Sequence, residues 1–175
     1  MCSRQGYTLP GSTFTNMLLV EKVLGNLSDT TTDSLGLDYL DLDWFDTGKS
    51  ILRKRTRAGQ EVGIRKDTTP LEDGDILYMD AERAIVVNIL PCECIVFKPT
   101  TFKGMGTVCF EIGNKHIPIF INEAAEVLVE FEYPLYRLLE RAGYEPRREV
   151  RKLLKTHALR VRRHESNYSR KITLK

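Results

Sequence analysis

Residues 94–113 read CIVFKPTTFKGMGTVCFEIG, and the way they divide decides the fold. CIVFKP at 94–99 is a strand closed by a proline, which has no N–H to give to a sheet ladder. Phe102, Met105, Val108, Cys109 and Ile112 then recur at helical spacing, which predicts an amphipathic helix from Thr101 to about Gly113 despite Gly104 and Gly106.

Working outward towards the C-terminus, PIFI and EVLVEFE flank the turn-like Asn122 to Ala125 and read as a hairpin. Pro134 suits the first turn of a helix, and Leu135, Leu138, Leu139 and Ala142 form an apolar stripe ending at Gly143, a good C-cap. Glu149 to Lys155 can supply a last strand. The order strand, helix, strand, strand, helix, strand is that of a ferredoxin-like domain.

Working outward towards the N-terminus, the chain shows short strand-like segments separated by turn chemistry. Tyr39 to Phe45 alternates Leu40, Leu42 and Trp44 against acidic residues, which predicts a half-buried strand. Ala58-Gly59 separates RKRT from EVGIR, Asp73-Gly74 precedes DILY, and Asp80 to Arg83 separates ILYM from AIVVNIL as an antiparallel pair. Met1 to Asn16 is polar and without period, which predicts a disordered extension with the fold starting at Met17. The expected fold class is therefore α+β, with an extension at 1–16, a β-rich domain at 17–91, a ferredoxin-like domain at 92–158 and a basic tail at 159–175.

The composition excludes several function classes. With 26 basic and 24 acidic residues, a net charge of +2, the chain as a whole is no polyanion binder, and 42% hydrophobic content suffices for a core. Four cysteines at 2, 92, 94 and 109 make no disulfide framework. Met1 to Gly11 carries no apolar leader and no run approaches the roughly 20 apolar residues a membrane helix needs. A cytoplasmic protein without a membrane partner is expected.

Hydrolase, metalloprotease and phosphate-loop signatures are absent. Cys109 and His116 lie about 10 Å apart along a helix axis at 1.5 Å per residue, too far for a nucleophile and its base. No catalysis is expected. Cys92 and Cys94 face the same side of a strand and could chelate a soft metal, but buried cysteine usually acts as a small hydrophobe. RREVRKLLKTHALRVRR at 147–163 is cationic yet has no aromatic residue to stack on bases, so a protein partner fits better than nucleic acid.

His116, one of three histidines, follows Gly113-Asn114, the pair best suited to a left-handed helix end. One imidazole holds a metal poorly, but at a twofold axis two copies would form a chelating pair.

The segment CFEIGNKHIPIF at 109–120 resembles the signature of UreE-type urease accessory proteins, the nickel metallochaperones, in which Gly-Asn-basic-His supplies the central ligand. MLLVEKVLGNL at 17–27, LDWFDTGKSILRKRTRAGQEVGIR at 42–65 and LEDGDILYMDAERAIVVNIL at 71–90 resemble the family's N-terminal domain, and Leu135 to Gly143 a helix of its C-terminal domain. The resemblance implies a cytoplasmic homodimer that binds Ni(II) and hands it to the urease maturation GTPase (UreG) within the urease pre-activation complex. It implies His116 as the paired ligand and a tail histidine that closes over the metal, His164 by position, with His157 a further candidate. The chain lacks the terminal polyhistidine run of many relatives, which argues against storage of many ions. Cu(II) and Zn(II) are expected competitors under the Irving–Williams order, and protonation of imidazole near pH 6.5 would release cargo. The alternative is a metal-free scaffold module binding protein or RNA.

Overall fold

A computed structural model describes residues 17–30, 35–67 and 69–159, so the expected extension at 1–16 and His164 in the tail lie outside the described residues. The chain divides into two units, one running up to Cys92 and including Arg151–Thr156, the other comprising Glu93–Val150 and the chain from His157.

The first unit turns its short strands into two sheets. β1 (Leu18–Val20) runs parallel to β5 (Glu61–Arg65), which pairs antiparallel with β4 (Ile51–Arg55). Their connection is the expected Ala58-Gly59 turn, with Gly59 at φ +92°, a conformation that a Cβ would strain. The second sheet has the order β2 (Gly25–Asn26), β6 (Asp75–Met79), β7 (Arg83–Ile89), β3 (Gly36–Leu42). β6 and β7 form the expected antiparallel pair, and Ala84, Ile85, Val86, Val87 and Ile89 are all buried, so β7 reads as a continuous apolar run rather than an alternation.

One sequence expectation shifts here. The strand expected at Tyr39–Phe45 lies at Gly36–Leu42, in parallel register with β7. Leu40 and Leu42 do face the core, but the Asp46 N–H turns back to the Asp43 carbonyl at 3.0 Å and Thr47 Oγ1 donates to the Trp44 carbonyl at 2.7 Å. The chain therefore leaves the sheet for a 3-10 turn at Asp46–Gly48.

The second unit carries β8 (Cys92–Phe97), α1 (Phe102–Gly113), β9 (Phe120–Ile121), β10 (Val127–Glu130), α2 (Tyr133–Arg141) and β11 (Arg147–Arg151). The sheet order β11-β8-β10-β9, with β10 antiparallel to both neighbours, is the ferredoxin-like arrangement expected from the sequence. Ile95, Phe97, Val127 and Val129 from the strands meet Val108 and Ile112 of α1 and Leu135 and Leu139 of α2. Each such side chain contributes about 1.5–3 kcal/mol by leaving water. Thr101 caps α1 by accepting from the Gly104 N–H at 3.0 Å, Pro134 occupies the first turn of α2, and Gly143 ends it at φ +79°.

The last strand is earlier than expected, at Arg147–Arg151 instead of Glu149–Lys155. Leu153 is buried with the first unit, so the chain has already left the second sheet by then. Among the described residues no helix is long and apolar enough to cross a membrane.

Candidate metal centre

The α1 helix ends by tightening rather than by reversing at Gly113-Asn114. Asn114, Lys115 and His116 donate their N–H groups to Phe110, Ile112 and Gly113 at 3.0, 3.0 and 2.9 Å. Asn114 stays right-handed at φ −63°, and the residue at positive φ is His116 itself, at +58°. The expectation that Gly113-Asn114 supplies the left-handed residue is thus corrected: hydrogen bonding carries the turn three residues further. Histidine enters this region more readily than most non-glycine residues, at a cost of about 1–2 kcal/mol.

His116 is exposed, yet its surroundings are anchored. Ile112 is buried four residues before it and Ile119 three residues after it, and Pro118 biases Ile117 towards extended backbone. The imidazole is thus presented outward from a backbone held at both sides, and it makes no hydrogen bond among the described residues.

The outer face of α1 leads towards this histidine. Phe102 is 97% exposed and Phe110 70% exposed, and between and beyond them Gly106 and Gly113 face open space. These positions follow i, i+4, i+8 and i+11 and share one helical face. Phe102 was expected in the buried stripe; instead only Val108 and Ile112 are fully buried, with Met105 and Cys109 packed beside them. Reading Phe102 with Phe110 across the glycines would have separated this second stripe.

The other candidates stand elsewhere. Cys94 is buried on β8 and Cys92 half-buried. The Cys109 Sγ lies 3.9 Å from Met105 Sδ, and burial raises its pKa, which disfavours the thiolate a metal or nucleophilic role requires. His157 ends a 3-10 turn at Lys155–His157; Ala158 then bridges Phe120 and the Leu159 N–H donates to the Ile119 carbonyl at 2.8 Å. That antiparallel register sets His157 opposite Ile121 rather than opposite His116. Among the described residues of a single copy, no three His, Cys, Asp or Glu side chains group to hold a metal.

The basic stretch at 147–163 is partly neutralised where it is described. Arg147 pairs with Glu126 and Glu149 at 2.9 and 2.8 Å, and Arg148 reaches Glu93 at 2.6 Å while lying over the Phe131 ring.

Comparison with known proteins bears on both units. Residues 20–90 match the family model described as UreE urease accessory protein, N-terminal domain. The chain is 41% identical over 129 residues to the urease accessory protein UreE of Flavobacterium johnsoniae, covering 73% of this chain and 78% of that one. The UreE of Acetivibrio thermocellus is 38% identical over 137 residues, 78% of this chain and 89% of its own. The UreE of Helicobacter pylori (strain G27) is 35% identical over 161 residues, 90% of this chain and 95% of its own.

Proposed function

The chain belongs to the UreE urease accessory protein family, and from that premise we propose that two copies of it bind Ni(II) between them through His116 and deliver the ion for assembly of the urease active site. It is an accessory protein and not an enzyme. The observation that carries the reading is the exposed Phe102–Phe110 face of α1, unpartnered among the described residues and ending at an outward-facing histidine. Two aromatic side chains separated by a glycine allow a second helix to approach closely, and a twofold axis there doubles one weak ligand into a pair.

His164 completes the site from the tail. The pairing of Ala158 and Leu159 with Phe120 and Ile119 sends the chain antiparallel, back in the direction of His116. Residues 159 to 164 can span up to about 17 Å when extended. A few neutral imidazoles suit Ni(II) while leaving the cargo releasable, and Zn(II) or Cu(II) compete for the same donors. In this reading residues 92–158 form the metal-binding and dimerisation domain, residues 17–91 the β-rich domain, and the receiver in the cytoplasm is the urease maturation GTPase within the pre-activation complex.

Calorimetry of Ni(II) binding tests the assignment. His116→Ala is expected to abolish tight binding and His164→Ala to weaken it while some remains. Tight binding that survives His116→Ala would refute the site. Equilibrium dialysis that found neither Ni(II) nor Zn(II) on the purified dimer at micromolar metal would favour a metal-free scaffold instead.

A further inference from the structure

The apolar stripe of α2 is wider than the core it serves. Leu135 and Leu139 are buried against the sheet, whereas Leu138 is 40% exposed and Ala142 lies exposed beyond it. Together with Arg141 of the same helix, and with Glu111, Asn114 and Lys115 from α1 and the turn that ends it, these two line an open groove of about 620 Å³. Every lining residue belongs to the second unit. Glu111, Asn114 and Lys115 are spaced i, i+3, i+4, as are Leu138, Arg141 and Ala142, so each helix turns one side to the groove.

Charge is left over there. Arg137 and Glu140 of α2 satisfy each other at 2.6 Å, but Lys115, Arg141 and Glu111 make no ion pair among the described residues. Two unmatched cations and one anion around an apolar floor complement a segment that carries an apolar side chain flanked by carboxylates.

Other occupants fit less well. A small-molecule pocket encloses most of its ligand, whereas all six residues of this groove are exposed. No aromatic side chain lines it for a base to stack on. A second copy seated on the Phe102–Phe110 face leaves the groove open, because Glu111 follows Phe110 by one residue, about 100° round the helix.

We propose that this groove docks an acidic segment of another protein, with an apolar side chain of that segment over Leu138 and Ala142 and its carboxylates at Lys115 and Arg141. On the carrier reading, and only on it, the docked chain is the receiver of the cargo. Lys115 directly precedes His116, about 3.8 Å away between Cα atoms, so the groove seats the partner beside the proposed ligand.

The probe is a capped hexapeptide of two leucines between pairs of glutamates, titrated into isotope-labelled full-length protein and followed by NMR. Amide shifts should move at Asn114, Lys115, Leu138 and Arg141 and stay fixed at Val127 in the core of the unit. The same peptide with lysine in place of glutamate should move none of them. Arg141→Glu and Lys115→Glu should each weaken the acidic peptide about fivefold, and Glu111→Gln should strengthen it about twofold, the order expected of exposed charge pairs. Shifts absent from the groove, an equal response to the lysine peptide, or affinity unchanged in both charge reversals would overturn the proposal. Arg141→Glu should bind Ni(II) as tightly as the wild type, which separates docking from metal binding. A protein that binds no Ni(II) would remove the carrier reading and leave the peptide titration to decide the docking surface.

Discussion

Along β3 and β4 of the first unit the charged side chains close on one another. Arg53 and Arg55 meet Glu61 at 2.7 and 2.6 Å, Arg57 meets Asp41 at 2.8 Å, and Lys49 and Lys54 converge on the nearly buried Asp46 at 2.6 and 2.8 Å. Along α1 and the turn after it, Lys103, Glu111 and Lys115 make no ion pair among the described residues, and Phe102 and Phe110 lie open beside them. The first surface satisfies itself within one copy. The second leaves apolar area in water and charges unmatched, the condition of a face that another chain covers.

The largest expected effect comes from destroying that contrast. Phe110→Asp places a charge at the centre of the α1 face without touching the core. Sedimentation should show the dimer replaced by monomer, a loss of about 2–4 kcal/mol in association, and tight Ni(II) binding should go with it. A variant that remains dimeric would assign the exposed phenylalanines to solvent and move the interface elsewhere.

A smaller effect separates strain from function at His116. Glycine takes φ +58° without a Cβ clash, so His116→Gly should raise stability by about 1 kcal/mol while removing the metal ligand. Thermal unfolding of metal-free protein checks the first half and Ni(II) titration the second. A destabilised variant would mean that the imidazole makes contacts that outweigh its backbone cost.

The smallest effect probes the self-satisfied surface. The Arg57 hydrogen bonds hold the Asp41 carboxyl below its usual range, against some desolvation and with help from Asn88. A depressed folded-state pKa adds stability above the ordinary carboxylate range and loses it as pH falls through the lowered value. Arg57→Ala should therefore lose a little stability at neutral pH, and urea titrations should show its difference from wild type shrinking under acid conditions. A difference independent of pH would point to packing of Arg57 over the Tyr39 ring, 5.0 Å away, in place of the ion pair.

What the sequence revealed follows the range of the forces involved. The turns at Ala58-Gly59 and Asp73-Gly74, the Pro134 start and Gly143 end of α2 and the ferredoxin-like element order are local chemistry, and they were legible. The parallel pairing of β3 with β7 was not, because it joins strands about forty residues apart and no turn residue announces it. Helical periodicity placed α1 correctly but could not say that Phe102 turns outward, since both faces of that helix carry apolar residues. The last strand slipped because Leu153 is claimed by another unit, a long-range competition that the local pattern does not contain.

The candidate site was legible only in part. His116 drew notice by its scarcity and its neighbours, and its weight as a proposed ligand came from family resemblance, because a pair of the kind proposed, made by symmetry, would leave no second residue in one chain to find. Its left-handed backbone was hidden behind a Gly-Asn pair that looked better suited to the role.

Metal stoichiometry tests the proposed symmetry most directly. Ni(II) calorimetry combined with sedimentation of the same samples should give one tightly held ion per dimer in the wild type and none in His116→Ala. One ion on each independent copy, or tight binding that survives loss of His116, would contradict a site shared across the axis.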